Sequence, residues 1–177
     1  MPSRALLSDN RRMELGYPIA QEAFDLEIYN LACVFAASKR LAEWARDSGA
    51  LDALRERFEQ SEASRRLVAV AIIARSKLDS RTVVRNMQLE QIISSNVGAL
   101  ARDMTQAEQK AELKFRDACN KIIHANSIDL MDDANPQTAE LCDIAVLTGE
   151  MHQPGIGQCE WKAEVNIPKF IRVASLL

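Results

Sequence analysis

Apolar residues recur at helical spacing through much of the chain, and this periodicity constrains the fold more than any other feature of the sequence. In residues 19–46 they follow one another mostly every three or four positions, which is typical of a long amphipathic helix. A second helical region begins at residue 50 and contains an apolar segment, 67–74, that we expect to be buried on most sides. A third helix is predicted over approximately 83–104.

A fourth predicted helix, from about residue 105 to residue 126, carries the most distinctive polar pattern. Wound at about 100° per residue, it places an apolar row on one face and a polar row on the other. Arg116, Asn120 and His124 follow one another at intervals of four, so their side chains lie along one edge of the helix within reach of each other. This row is the first candidate for a functional site.

The period changes after an acidic, irregular stretch at 127–136. Residues 159–167 alternate apolar and polar over nine positions, as in a strand with one buried face. Residues 141–148 are predicted to be its hairpin partner, across a long loop that contains Pro154 and Gly155. A short terminal helix, 169–177, is predicted to follow Pro168.

These elements predict a mainly α fold, an up-and-down helical bundle of four to five helices with a C-terminal β-hairpin and a short terminal helix. At 177 residues, the chain is long enough to bury a core without disulfides or metals. We interpret it as a single domain with three parts: a flexible N-terminal arm (1–16), a helical bundle (17–126), and an acidic loop, hairpin and terminal helix packed on that bundle (127–177).

Composition narrows the cellular setting. No apolar run approaches the roughly 20 residues of a membrane span, and the first residues lack the apolar core of a signal peptide. We therefore expect a cytoplasmic protein with no membrane contact. The four cysteines form no Cys-x-x-Cys pair, and Cys142, His152 and Cys159 do not have standard zinc-ligand spacing. We predict no metal and no cofactor.

Charge is unevenly distributed along the chain. The net charge is −3, but residues 51–86 hold eight basic against five acidic side chains, whereas residues 127–177 hold three against eight. The middle of the chain could tolerate phosphate, and the C-terminal part should repel it. Four basic residues bracket the apolar segment of the second helix, either as solvated helix ends or as a phosphate-contacting rim: Arg65, Arg66, Arg75 and Lys77.

The stretch Asn120-Lys121-Ile122-Ile123-His124 resembles the Asn-x-x-x-His end of the Arg-Asn-x-x-x-His motif of HEPN domains (higher eukaryote and prokaryote nucleotide-binding). The longer stretch 115–125 is similar to one in small, uncharacterised bacterial proteins of HEPN-like appearance. The resemblance implies an all-helical fold, a bacterial or phage-related setting and, in many family members, metal-independent ribonuclease activity. This chain departs from the motif because Cys119 stands where the motif has Arg, and Arg116 lies one turn earlier.

Two functions follow as hypotheses. The first is a non-catalytic HEPN-like module that binds RNA or nucleotide, or another protein, with Lys121, Arg65 and Arg66 as binding residues. The alternative is a metal-independent endoribonuclease with a composite dimer site, in which His124 transfers protons, Asn120 orients His124 or the phosphate, and Arg116 or Lys121 stabilises the charge on phosphate. The resemblance further implies a homodimer whose two motif helices face each other across the symmetry axis. A purely structural role for the row, with His124 completing the helix end, is the third interpretation.

Overall fold

The computed structural model describes residues 21–80, 87–102, 109–131, 140–153 and 157–177. The predicted N-terminal arm, residues 1–16, lies outside these ranges. Within them the chain forms five helices and five strands. None of these helices is both long and apolar enough to cross a membrane.

The first two helices form an antiparallel pair, as the periodicity predicted. Helix α1 spans Gln21–Ala45 and helix α2 spans Gly49–Ser80, so the connection is only three residues long. Four residues of the apolar segment of α2 are buried, three are half-buried and Ile72 is exposed, so the expected burial is met in part, and the side chain of Phe24 in α1 belongs to the same core. An ion pair between Arg66 and Glu27, at 3.0 Å, fixes the register of the two helices.

The next segment is not the single long helix that was predicted. Helix α3 spans only Met87–Ser94, and strands β1 (Asn96–Ala101) and β2 (Lys110–Lys114) follow it as an antiparallel pair. A short apolar run such as 97–101 fits a buried strand as well as a helix. At Gly98 the strand lies very close to a neighbouring strand, since a Cβ there would collide with the backbone carbonyl group of Glu164. The glycine, which weakens a helix, is therefore what permits this strand pairing.

Three further strands complete one sheet. Strand β3 spans Ser127–Met131, where an irregular loop was predicted, and it pairs with β4 (Leu141–Gln153). Strand β5 (Gly157–Asn166) pairs with both β4 and β1, which gives the order β2-β1-β5-β4-β3 with every pair antiparallel. The predicted hairpin is therefore present, but it belongs to a five-stranded sheet that reaches back into the part of the chain assigned to the bundle.

One face of the sheet is buried under helices. Along β5 the side chains of Trp161, Ala163 and Val165 are buried, whereas Glu160, which points to the other face of the sheet, is exposed. Helices α4 (Phe115–Ile123) and α5 (Ile167–Ala174) pack on this face, and the rings of Phe115 and Phe170 lie 5.1 Å apart between them. The fold is consequently mixed α+β. The predicted mainly α, all-helical bundle is wrong, because strand pairing outweighs helix propensity in residues 96–101 and 110–114.

Candidate functional site

Helix α4 carries the polar row that the sequence singled out, but it is shorter than predicted. It begins at Phe115, immediately after β2, because Leu113 and its neighbours pair with β1 instead of continuing the helix. The predicted apolar face is confirmed as core, since Phe115, Ala118, Cys119 and Ile122 are all buried. The opposite edge of α4 therefore faces outward with Arg116, Asn120 and His124.

Asn120 is held by an arginine from another helix. The Nε of Arg75, in α2, donates a hydrogen bond to Asn120 Oδ1 at 2.7 Å. Arg75 also donates to Oδ1 of Asp79, one turn further along α2. The amide of Asn120 is thus joined through a guanidinium group to a carboxylate at the end of α2.

Arg116 reaches the same carboxylate from α4. Its NH2 lies 3.0 Å from Asp79 Oδ1, and both side chains are about half exposed. Asp79 sits in the last turn of α2, where the helix dipole disfavours a negative charge, and the two guanidinium groups offset that effect. Arg75, Asp79, Arg116 and Asn120 form one connected group, which we call the arginine-bridged cluster.

His124 lies at the end of the row without joining the cluster. It forms the C-cap of α4, where its backbone N–H donates to Asn120 O at 3.1 Å. The imidazole is exposed and makes no hydrogen bond to any residue in the described ranges. Among the described residues Asn120 makes no hydrogen bond to the imidazole of His124, and its Oδ1 accepts from Arg75.

Cys119, the residue before Asn120, occupies a core position of α4. Its side chain is fully buried beneath the cluster, and burial raises the pKa of the thiol to about 12, with the positive charge of Arg75 acting in the opposite direction. An arginine at this position of α4 would have to enter the core, which is costly for an unpaired charge. Arg75 instead supplies a guanidinium group to Asn120 from the neighbouring helix.

The predicted binding residue Lys121 has a contact of its own. Its ammonium group lies 4.0 Å from the ring centroid of Trp161, which is within the range of a cation–π interaction. Burial lowers the pKa of Lys121, with a further contribution from the positive charge of Arg102, while Asp117 acts in the opposite direction. Lys121 therefore points towards the sheet and not along the row.

Arg65 and Arg66 are not brought to the cluster. Both are bound to Glu62, and Arg66 also reaches Glu27. They lie ten and nine residues before Arg75 on α2, respectively, a distance of about 15 Å along the helix axis. Arg75 contacts the polar row of α4 through Asn120, whereas Lys77 donates to Gln21 of α1.

The cysteine and histidine residues considered as zinc ligands are spread along the hairpin. Cys142 is near the start of β4, whereas Cys159 pairs with Met151 near its end, about 30 Å away at 3.4 Å per residue. The described residues contain no group of three His, Cys, Asp or Glu side chains arranged to hold a metal ion.

The sequence did not reveal the roles of Arg75 and Asp79. Arg75 was notable only as one of several basic residues at the ends of an apolar segment, and Asp79 was not among the candidate site residues. Nothing in their spacing indicates a contact with Asn120, because that contact depends on how α2 packs on α4. The only available signal was that Arg75 and Asp79 lie four residues apart on one helix face, near the point where the apolar periodicity is interrupted.

The chain matches no protein-family model, no curated protein and no solved structure. The case for a function therefore rests on the residues of the arginine-bridged cluster and their geometry.

Proposed function

We propose that this chain is a non-catalytic module that binds the phosphate groups of RNA or of a nucleotide through the arginine-bridged cluster. The observation that carries this proposal is the convergence of Arg75 and Arg116 on the half-exposed carboxylate of Asp79. Guanidinium groups bind carboxylate and phosphate oxygens with the same planar set of donors. A phosphate that approaches from solvent can share these donors with Asp79 or displace its carboxylate.

The exposure of His124 and its lack of an orienting hydrogen bond among the described residues favour binding over cleavage. RNA cleavage without a metal requires a positioned base and a positioned acid. His124 is exposed, and its imidazole has no hydrogen-bonded partner among the described residues. Asn120, the residue expected to orient it, accepts from Arg75 and makes no hydrogen bond to His124 among the described residues. The cluster without a positioned histidine supports a role in holding phosphate. We further propose that the protein acts in the cytoplasm of a bacterial or phage-related system.

The proposal is tested by the anisotropy of labelled single-stranded RNA, titrated with the full chain at several salt concentrations. We expect Arg116→Gln to weaken binding at least fivefold and to reduce the slope of log K against log salt by about 0.7, as for one lost phosphate contact on a single strand. Asp79→Asn should tighten binding, because the competing carboxylate charge is removed. Arg172→Gln removes the same charge from an exposed position on α5 and should have little effect.

The outcomes separate phosphate binding by the cluster from binding by net charge alone and from RNA cleavage. Equal losses from Arg116→Gln and Arg172→Gln would mean that binding is only a matter of net charge, and the proposal would be wrong. Absence of RNA and nucleotide binding by the parent chain would also overturn it. Cleavage of the RNA in EDTA by the parent chain, lost in His124→Ala with the melting temperature unchanged, would replace binding by the ribonuclease alternative.

A further inference from the structure

The α1–α2 pair has a second apolar face, on the side away from the core. Five large apolar side chains on this face are between 49% and 66% exposed, and we call them the outer face: Leu26, Tyr29, Trp44, Leu54 and Phe58. Two of them, Leu54 and Phe58, line an open groove of about 470 Å³ between the two helices, and Cys33, Ala37 and Leu41 line its α1 side. A monomer leaves this surface in contact with water.

The outer face is distinct from the face that α1 packs on the core. At about 100° per residue, Leu26, Tyr29 and Cys33 lie on the opposite side of α1 from the buried residues Phe24, Ile28 and Leu31. A helix with one apolar stripe needs one partner. With two stripes, α1 has a partner for the first in the core and none, in the described structure, for the second.

The order of residues along the outer side of α1 is symmetric about residue 35. Small residues, Cys33 and Ala37, flank the centre, and large ones lie equally far out on both sides. If two α1 helices cross antiparallel at this point, each large side chain of one copy meets a large side chain of the other. The pairs are Leu26 with Trp44, Tyr29 with Leu41, and Cys33 with Ala37. The small central pair permits the close helix approach that such a crossing needs.

Charges follow the same symmetry. Arg40 lies on the outer side of α1 with its side chain 68% exposed, and the two-fold relation places it beside residue 30 of the other copy. The Arg66–Glu27 ion pair fixes the register of α1 and α2, which puts Glu62, one turn before Arg66, beside residue 31. Glu62 of one copy, which is bound to Arg65 and Arg66 of its own chain, therefore lies at about the level of Arg40 of the other copy, which pairs with Glu43 in its own chain.

The exposed apolar area is sufficient for a stable dimer. Tyr29, Trp44 and Phe58, at about 150–250 Å² each and roughly half exposed, contribute about 350 Å². The exposed leucines raise this to about 500 Å², close to the apolar share of a standard interface of about 800 Å² per partner. An exposed patch of this size is at the upper end of what monomeric proteins carry.

We infer that the outer face is the interface of a homodimer, in which α1 packs antiparallel on α1 of a second copy about a two-fold axis near residue 35. The two α1–α2 pairs then form a four-helix arrangement with an isologous interface. This interface differs from the one implied by the motif resemblance, in which the two α4 helices and their His124 side chains face each other. It does not depend on the proposed function.

The first test measures the mass of the full chain in solution by light scattering across a range of micromolar concentrations. The parent chain should be a dimer, and Tyr29→Asp or Phe58→Asp should raise the dissociation constant at least tenfold. Leu176→Asp is the matched control, because Leu176 is as exposed as Leu26 but lies after α5. A monomeric parent chain, or a dimer that resists Tyr29→Asp and Phe58→Asp while both remain folded, would overturn the inference.

A second test addresses the register and does not require the dimer to be weakened. Ala37→Cys places a thiol opposite Cys33 of the second copy, so mild oxidation should yield a disulfide-linked dimer on a non-reducing gel. Lys39→Cys, exposed on another side of α1, should yield much less. Equal crosslinking of the two variants would reject this register, and a dimer that is lost only in variants of α4 would favour the interface through His124.

Discussion

Arg75 and Asn120 lie 45 positions apart in the sequence and are joined by a 2.7 Å hydrogen bond from Nε to Oδ1. The bond links the last part of α2 to the outward edge of α4. It gives the conspicuous asparagine of the row a structural partner, while Arg116 and Asp79 remain open to solvent. Within the cluster, Arg75 and Asn120 hold α2 and α4 together, and Arg116 and Asp79 are accessible to a ligand from solvent.

The Arg75–Asn120 bond should contribute measurably to stability. A hydrogen bond to a charged group is worth about 1.5–3 kcal/mol, so Asn120→Ala and Arg75→Ala should each lower the free energy of unfolding. A double-mutant cycle in urea should yield a coupling energy of the same sign. His124→Ala, which removes an exposed side chain from the same helix, should change stability by less than about 0.5 kcal/mol. Additive effects of the Arg75 and Asn120 changes would show that the bond is not formed in solution.

Gly149 should not tolerate a side chain. A Cβ at this position would lie 2.7 Å from Cε2 of the buried Trp161 ring on the neighbouring strand, so Gly149→Ala should destabilise the protein by about 1–3 kcal/mol through overpacking. Gly49→Ala is the control, because a Cβ there has nothing within 4 Å and should be neutral or slightly stabilising. Thermal melting of the two variants compares them, and equal melting temperatures would contradict the packing described for Trp161.

Cys119 should make stability depend on alkaline pH. Burial raises the pKa of its thiol to about 12 in the folded chain, whereas an unfolded cysteine has a pKa near 8.5–9. Above pH 9 the unfolded chain loses this proton and the folded chain keeps it, so stability falls as the pH rises from about 9 towards 12. The loss approaches about 1.4 kcal/mol per pH unit.

Urea unfolding at pH 8 and pH 10 measures this effect. Cys119→Ala also leaves a small cavity, so only the difference between the two pH values is informative. That difference should be smaller in Cys119→Ala than in the parent chain. If both lose the same stability between pH 8 and pH 10, the thiol is not the group responsible.

Lys121 should behave as a packing residue and not as a phosphate ligand. Its ammonium group over the Trp161 ring is worth about 0.5–1 kcal/mol, so Lys121→Met should lower stability modestly and change the fluorescence of Trp161. The experiment is best done in a Trp44→Phe background, because the exposed Trp44 also emits. RNA affinity should fall less than in Arg116→Gln. A larger loss of affinity in Lys121→Met would place Lys121 in the binding site.

The long helices could be predicted from the sequence because each repeats its apolar spacing over many turns. The bounds of α1 agree with the prediction within two residues at each end, and β5 within two residues at its start and one at its end. In both elements a single period persists long enough to exclude the alternative. Local pattern and burial agree there, so the sequence alone was sufficient.

Residues 96–114 show why the rest could not be predicted. Val97 to Ala101 form a continuous apolar run, and residues 110–114 have good helix propensity, so a helix was a reasonable interpretation. The deciding interaction is the pairing of β1 with β5, more than 60 positions later in the chain. No local pattern encodes such a partner. The same limit applies to the cluster, since the contact of Arg75 with Asn120 depends on how α2 packs against α4.

Strand β5 lies at the centre of the sheet, between β1 and β4, yet it follows the other four strands in sequence. On a ribosome, the α1–α2 pair can form early, while β1 and β2 must wait for the strand that joins them to β4. Pairing β1 with β5 closes a loop of more than 60 residues, and the entropic cost of this closure slows folding. Until β5 emerges, the two halves of the sheet expose strand edges to neighbouring chains, so chaperone demand should be greatest between the synthesis of β1 and that of β5.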